Sequence, residues 1–200
     1  MAVDPEIRRF PPTQRRSLAT YESLLVEIAV PRGFVARADA PHLHDRHVMD
    51  SLRVLACLDV GAVTIADVGS GAGLPGVPVA IARPDCAITL VEPQARRVAF
   101  LELVLDTLGL PNVRILRARA ETAALAVDVV LARALASPAG SWALARANLR
   151  AGGSLLYFAG RSWAGSQAPP RDEVDTTICA RASFPWQGPV VRMRARSMRP

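Results

Sequence analysis

The chain has 200 residues, half of them hydrophobic, and a net charge of +6. This length and apolar content suit a folded chain with a sizeable core and exclude a largely disordered one. No apolar run reaches the length of a membrane span, so no membrane partner is expected. All 24 basic residues are arginine, which favours a polyanionic partner.

The three cysteines, Cys57, Cys86 and Cys179, are far apart and odd in number. They provide neither the spacing of a metal site nor a disulfide framework. The first residues lack the basic-then-apolar order of a signal peptide. We therefore expect three reduced thiols, no metal, and a cytoplasmic location.

Residues 1–60 are predicted to form an N-terminal arm and a helical extension. The arm, residues 1–12, contains three prolines and is expected to be mobile. Helices are predicted over residues 13–30, with Thr13 as a candidate cap, and over residues 41–58.

Residues 61–200 are predicted to form the main α/β domain, in one compact unit with the extension. The predicted strands are Val63–Val68, Ala87–Glu92, Val113–Leu116, Val127–Ala132 and Ser154–Phe158. The predicted helices between them are Pro75–Ile81, Gln94–Leu108 and Pro138–Leu149. Such alternation is typical of a parallel sheet with helices on both faces.

The end of the chain follows a different pattern. Residues 160–170 are rich in Gly, Ser and Pro and are predicted to be a flexible loop. Extended runs at Glu173–Phe184 and Pro189–Arg196 flank turn residues 185–188, which predicts an antiparallel hairpin. The fold prediction is therefore a mostly parallel seven-stranded sheet that ends in a C-terminal antiparallel hairpin.

The most informative segment is residues 67–76, Asp-Val-Gly-Ser-Gly-Ala-Gly-Leu-Pro-Gly, which we call the glycine corner. Its later part matches G-x-G-x-x-G, the fingerprint of dinucleotide sites, and Glu92 follows at a suitable distance. Its earlier part, Asp67-x-Gly69-x-Gly71-x-Gly73, matches the first motif of S-adenosylmethionine (SAM) methyltransferases. A glycine-rich turn that binds no ligand is the third interpretation. The acidic strand end and the two prolines at the next helix favour SAM.

Further strings extend this match. The upstream string is Asp45-Arg46-His47-Val48-Met49-Asp50-Ser51, and the downstream strings are Leu90-Val91-Glu92-Pro93, Arg96-Arg97-Val98, Arg119-Ala120-Glu121 and Arg133-Ala134-Leu135-Ala136-Ser137. With the extended corner, which runs on to Pro78, the chain resembles the bacterial 16S rRNA guanine-N7 methyltransferases (RsmG, also called GidB). Residues 32–37, Arg-Gly-Phe-Val-Ala-Arg, resemble the high-GC actinobacterial form of the family. The resemblance implies a Rossmann-like class I SAM-dependent methyltransferase.

The resemblance also implies roles for individual residues. The expected cofactor-binding residues are Gly69, Gly71, Gly73, Leu74, Glu92, Ala120, Glu121 and Arg133. Glu92 would bind the ribose hydroxyls, although a solvated strand end is the simpler interpretation. Arg133 would lie near the methionine moiety and the RNA, unless it only pairs with Asp67 or Glu121. Glu121 would meet the adenine or cap the next segment.

No catalytic residue is assigned, because guanine N7 carries a lone pair and needs no general base. Arg133 and His47 are the candidates. His47 and Asp50 share a helix face and suggest a catalytic dyad, but a helix that packs beneath the cofactor is the favoured interpretation. The candidates for RNA binding are Arg46, Arg96, Arg97, Ser137 and Arg161. The implied partner is 16S rRNA or the small ribosomal subunit, bound by a monomer.

One departure from the family leaves other functions open. The family usually has Leu-Lys-Gly at the end of the fifth strand, where this chain has Phe158-Ala159-Gly160. Arg161 is a candidate replacement for the missing cation. The alternatives are a methyltransferase of a small molecule or protein, and a catalytically weakened relative.

Overall fold

A seven-stranded mixed sheet forms the centre of the molecule. In a computed structural model, which describes residues 7–61, 64–164, 168–170 and 172–196, the strand order is β3-β2-β1-β4-β5-β7-β6. The strands are β1 (Thr64–Val68), β2 (Ala87–Val91), β3 (Val113–Leu116), β4 (Val127–Arg133), β5 (Leu149–Phe158), β6 (Val174–Ala180) and β7 (Val190–Ala195). β1 to β5 are parallel, and β6 and β7 form an antiparallel hairpin on β5. This confirms the predicted sheet and hairpin.

The order of the sheet reverses at β1, which pairs with β2 on one side and β4 on the other. Their connections leave in opposite directions and open a crevice at the carboxyl ends of the strands, where open α/β sheets bind ligands. The glycine corner follows β1 at that point.

The regular helices are α1 (Pro12–Leu24), α2 (Asp50–Leu52), α3 (Gly76–Ala82), α4 (Ala95–Leu108) and α5 (Pro138–Arg146). α1 continues as a π-helix over Leu25–Ala29. Apolar clusters cover both faces of the sheet. Among the described residues, no helix is both long and apolar enough to cross a bilayer.

The helix predicted over residues 41–58 is not continuous. It is 3-10 helical at Arg37–His42, π-helical at His44–Met49 and 3-10 helical again at Arg53–Cys57, with α2 between the last two. Pro41 has no N–H to donate, which favours a break in the regular ladder. Hydrogen bonds from Arg133 to carbonyl groups of the π-helical turn, described below, stabilise the irregular backbone.

Other boundaries also differ from the predictions. α1 begins at Pro12, so Thr13 lies inside the helix and is not its cap. Residues 1–6 of the predicted arm lie outside the described residues, but residues 7–9 form a 3-10 helix and Ile7 is buried, so this part is ordered. The last helix ends at Arg146, and β5 begins at Leu149. The hairpin connection spans residues 181–189, because Gln187 Oε1 accepts the N–H groups of Ser183 and Phe184 and removes them from strand pairing.

The cysteine prediction is wrong for two of the three residues. Residues 37–57 form the irregular helical segment that we call the second helical stretch. Cys57, at its end, forms a disulfide with Cys179 on β6. The two cysteines are 122 residues apart along the chain, so their spacing does not predict the pairing. The position of the hairpin in the fold brings them together. Cys86 is a buried thiol.

The N-terminal helices pack into the same core as the sheet. Leu18 and Tyr21 of α1 are fully buried in one cluster with Phe100 and Leu101 of α4. We therefore propose that the described part of the extension, residues 7–60, is an integral layer of the fold.

A chain that starts at residue 61 should accordingly lose its cooperative unfolding transition. Removal of α1 exposes the apolar face of α4, which costs about 25 cal/mol for each Å² of apolar surface returned to water. Thermal unfolding followed by near-ultraviolet circular dichroism measures this. A sharp transition in the shortened chain would contradict the proposal and show that the sheet folds by itself.

Candidate active site

The glycine corner turns sharply above the end of β1. Gly69, Gly71 and Gly73 have positive φ angles of 72°, 60° and 93°. These values lie in the left-handed region that favours glycine. The Gly69 N–H donates to Val91 O at 2.9 Å, which holds the turn against the end of β2.

Asp67 fixes the far side of the corner. Its carboxyl group is buried, and Oδ2 accepts the Gly76 N–H at 2.9 Å at the start of α3. Burial raises the pKa of Asp67 to about 7, although the Gly76 amide and the positive charge of Arg133 act in the opposite direction. The group thus binds its proton more tightly in the folded chain than in the unfolded chain.

This pKa predicts a loss of stability between about pH 4 and pH 7. The unfolded chain releases the Asp67 proton near its ordinary pKa of 3.8, and the folded chain releases it near 7. The stabilisation present at low pH is therefore lost as the pH rises, by a few kcal/mol at about 1.4 kcal/mol per pKa unit. Asp67→Asn keeps an oxygen for Gly76 and should remove this dependence. The free energy of unfolding, measured with urea at pH 5 and at pH 8, tests this. An equal change between the two pH values in the unaltered protein and in Asp67→Asn would refute the prediction.

Glu92 joins the corner to the next helix. Its Oε2 accepts the Gly71 N–H at 3.0 Å, and Oε1 accepts the Gln94 N–H at 2.9 Å, before α4. The residue is only 1% exposed, so the interpretation as a solvated strand end is wrong. Arg97 Nη1 lies 3.8 Å from Oε2 and compensates part of the buried charge.

Tyr21 contacts the corner, and sequence reasoning missed this. Its hydroxyl donates to Ala72 O at 2.7 Å, which connects α1 to the glycine turn. Burial raises the Tyr21 pKa well above its ordinary value, so the phenol stays a neutral donor. The spacing of Leu18, Tyr21 and Leu25 along one helix face was the available signal, but it indicates burial and not a partner.

Tyr21→Phe should weaken the corner without disturbing the core. The variant keeps the ring but leaves the buried Ala72 carbonyl without its donor, which costs about 1–3 kcal/mol. The free energy of unfolding from urea titration gives the size of the loss. Tyr157→Phe is the matched control, since that hydroxyl also donates to a backbone carbonyl, Ala136 O, but away from the corner. An unfolding free energy of Tyr21→Phe equal to that of the unaltered protein would contradict this role for Tyr21.

Arg133, at the end of β4, connects the sheet to the second helical stretch. Nη2 donates to Arg46 O at 2.6 Å, and Nη1 donates to His47 O at 3.3 Å. Nη1 also donates to Ser51 Oγ at 3.4 Å, and Nη2 lies 3.4 Å from Asp50 Oδ2. Its ion-pair partner is thus Asp50, and not either of the carboxylates considered from sequence.

His47 and Asp50 both contact Arg133. His47 Nδ1 lies 3.4 Å from Arg133 Nη2, and its Nε2 lies 3.3 Å from Asp39 Oδ2. Burial, with the charge of Arg133, lowers the pKa of His47, so its ring is neutral and Nδ1 accepts. Asp50 also pairs with Arg53 Nη1 at 2.7 Å. This arrangement supports a helix that packs beside the site.

Two cavities meet at this point. The smaller, of about 260 Å³, is lined by the backbone of Gly69 to Ala72 together with Leu74 and Arg97; we call it the corner pocket. The larger, of about 720 Å³, opens between the second helical stretch and the hairpin connection; we call it the basic cleft. Both are lined by His47, Arg133 and Ala134, which form a shared wall.

The basic cleft contains four arginines and two aspartates. These are Arg46, Arg53, Arg133, Arg161, Asp39 and Asp50. Ala159 lines the same cleft, so Arg161 brings a cation to the place where the lysine is missing.

The remaining predicted residues lie elsewhere. Arg96 lies over the Phe34 ring, 5.9 Å from its centre. Ser137 Oγ accepts the Gly140 N–H at 3.2 Å and caps α5. Ala120 and Glu121 follow β3 in a short 3-10 helix and line neither cavity; Ala120 O accepts from Asn148 Nδ2 at 2.7 Å.

A family model described as rRNA small subunit methyltransferase G, GidB, matches residues 14–181. The chain belongs to this family. The chain is 43% identical over 155 residues to the ribosomal RNA small subunit methyltransferase G of Corynebacterium efficiens, covering 74% of this chain and 65% of the relative. It is 46% identical over 144 residues to the protein of the same name from Thermobifida fusca, covering 70% of this chain and 60% of the relative. The chain thus matches less than two thirds of the length of these relatives.

A solved structure supports the fold. A putative O-methyltransferase from Klebsiella pneumoniae superposes with a TM-score of 0.59 at 13% identity, covering 94% of this chain and 91% of the other. The seven-stranded sheet with its terminal hairpin is the class I SAM-dependent methyltransferase fold. The dinucleotide interpretation of the glycine corner is left without support.

Proposed function

We propose that the chain transfers a methyl group from SAM to N7 of a guanine in 16S rRNA. The observation that carries the proposal is the shared wall, where Arg133 and His47 border both the corner pocket and the basic cleft. A methyl donor in the first and a base in the second would meet there.

The corner pocket fits the cofactor. Its wall contains a buried donor, Arg97 Nε, that has no hydrogen-bond partner among the described residues, and two left-handed glycines, Gly69 and Gly71, line it. We propose that the cofactor is held by Gly69, Gly71, Leu74 and Arg133, which line the pocket, with Gly73 and Glu92 behind them. The cofactor would extend beyond the pocket to Ala120 and Glu121. The Glu92 carboxylate keeps lone pairs for the ribose hydroxyls beyond the two amides that it accepts. When bound, SAM supplies a methyl group on a positively charged sulfur.

The chain contributes alignment and not proton transfer. Guanine N7 has a lone pair, so the neutral His47 has no proton to remove. Arg133 spans from the end of β4 to the carbonyls of Arg46 and His47 and fixes the wall between the two cavities. Holding both reactants in line supplies the largest part of the rate, as in other reactions governed by proximity.

The substrate would lie in the basic cleft. Arg46 and Arg161 are available there for phosphates, and Arg96, Arg97 and Ser137 would extend the RNA surface around the corner pocket. Charge neutralisation of this kind makes binding sensitive to salt. N7 lies in the deep groove of paired RNA, so the target guanine must be unpaired or extruded.

We further propose that the chain acts as a monomer in the cytoplasm on 16S rRNA or the small ribosomal subunit.

Transfer of radiolabel from SAM to 30S subunits that lack N7 methylation tests the proposal. Label should enter 16S rRNA, and Gly69→Asp should abolish it, because it puts a charged side chain on the wall of the corner pocket at a left-handed φ of 72°. Gly109→Asp is the matched control, with a similar φ of 60° but away from the pocket and with nothing within 4 Å of an added Cβ. No label from a protein that binds SAM by calorimetry would overturn the rRNA substrate and favour a small molecule or protein.

A further inference from the structure

Two aromatic side chains are exposed beside the basic cleft. Phe184 is 49% exposed and Trp186 36%, and within the described residues they are the only large aromatics exposed to this degree. They stack in parallel, with ring centres 4.6 Å apart and planes 7° apart. Exposed apolar surface of this kind is a feature of binding sites.

Hydrogen bonds and packing hold the segment that carries these rings in place. Gln187 is buried, and its Oε1 accepts the N–H groups of Ser183 at 2.9 Å and Phe184 at 3.3 Å. Arg53 Nη2 donates to Gly188 O at 3.0 Å and to Arg181 O at 2.8 Å. Gly188 packs against Ala159 O so closely that no Cβ would fit. The rings are thus presented by an ordered turn.

Trp186 is coupled to the shared wall through Arg46. Its ring and Gln187 line the basic cleft together with Arg133 and His47. The guanidinium carbon of Arg46 lies 5.6 Å from the centre of the Trp186 ring, and the Arg46 carbonyl accepts from Arg133 Nη2. The basic cleft therefore brings together the Trp186 ring, the guanidinium group of Arg46 and the shared wall.

We propose that Trp186, supported by Phe184, stacks on an unpaired base of the substrate RNA and guides it into the basic cleft. Unstacked RNA bases bind to aromatic rings and to the planes of arginine side chains. The positive charge of Arg46 and Arg161 beside the ring suits the phosphates on either side of such a base. The inference rests on the proposed function and assigns a role to a segment that the sequence predicted only as a turn.

Fluorescence tests the stacking directly. In a Trp142→Phe/Trp163→Phe variant, Trp186 is the remaining tryptophan of the chain. A single-stranded, guanine-containing RNA oligonucleotide should quench its emission. Inorganic polyphosphate should not, because it carries charge but no base. Equal quenching by both would overturn the stacking.

The affinity for RNA provides a second test of the stacking. Trp186→Ala should weaken binding of the oligonucleotide and raise the KM for 30S subunits about tenfold or more, the usual effect of losing one stacked base. Trp186→Phe should restore most of this loss. Leu103→Ala, a change at a 41% exposed residue on α4, is the matched control and should have no effect.

The outcomes separate this inference from the proposed function. If the unaltered protein methylates 30S subunits and Trp186→Ala does so with an unchanged KM, the stacking role is wrong and the function stands. If the unaltered protein neither binds the oligonucleotide nor labels 30S subunits, the proposed function fails and this inference fails with it. SAM calorimetry on each variant shows that the corner pocket is intact.

Discussion

Gly73→Ala should abolish cofactor binding and lower stability by about 2–5 kcal/mol. Gly73 has a φ of 93°, and an added Cβ would lie 2.7 Å from Val77 Cγ2 and 3.1 Å from the Tyr21 hydroxyl. A left-handed alanine costs about 1–2 kcal/mol, and forcing an atom into a packed core costs about 1–3 kcal/mol more. To relieve the contact, the corner must move away from Tyr21 and so lose the shape of the pocket.

The control for this prediction is Gly109→Ala. Gly109 ends α4 at a φ of 60° and has no atom within 4 Å of an added Cβ, so only the backbone cost applies. Urea unfolding and SAM calorimetry on both variants separate backbone strain from steric exclusion. If Gly73→Ala binds SAM as tightly as the Gly109→Ala control, the corner is more deformable than its contacts indicate.

Arg133→Lys should lower kcat/KM by about 10²-fold or more while the fold survives. Lysine keeps a positive charge for Asp50 but lacks the planar fork that reaches the carbonyls of Arg46 and His47. The shared wall would then lose its fixed position. A displacement of about 1 Å between reactants can lower the rate by about 10²-fold. Arg133→Met removes the charge as well, and leaves the buried Asp50 with Arg53 as its remaining partner. That variant should be destabilised by roughly 3 kcal/mol.

Single-turnover kinetics with saturating SAM distinguishes misalignment from weak binding. Arg83→Met is the matched control, because Arg83 pairs with the exposed Asp85 far from the corner, and a surface pair contributes about 1 kcal/mol or less. If Arg133→Lys transfers methyl groups at the unaltered rate, the contacts with the carbonyls do not position the reactants.

Much of the fold was predictable from local patterns. Each strand of the parallel sheet is a short apolar run, and the glycine corner follows β1 as its spacing required. The predicted helix over residues 41–58 failed because its backbone adapts to a side chain from elsewhere. The carbonyls of Arg46 and His47 accept from Arg133, which is more than 80 residues away along the chain.

The candidate site was also predictable in part: its residue types could be found from local motifs, but their partners could not. Asp67, Glu92 and Arg133 were identified from motifs, since their chemistry suits a ligand at a strand end. Their actual partners were not, because the N–H groups of Gly71 and Gly76 are backbone atoms that no residue type reveals. Tyr21 was missed because a tyrosine on the apolar face of a helix predicts burial in the core and gives no sign of its hydrogen-bond partner.

In the proposed function, the shared wall would link the cofactor and the RNA thermodynamically. A ligand in the corner pocket that shifts Arg133 would change the basic cleft through the same side chain, and so would alter how tightly RNA is held. Linkage is reciprocal, so RNA would change the affinity for the cofactor by the same factor. One arginine would thus make donor and acceptor each the effector of the other.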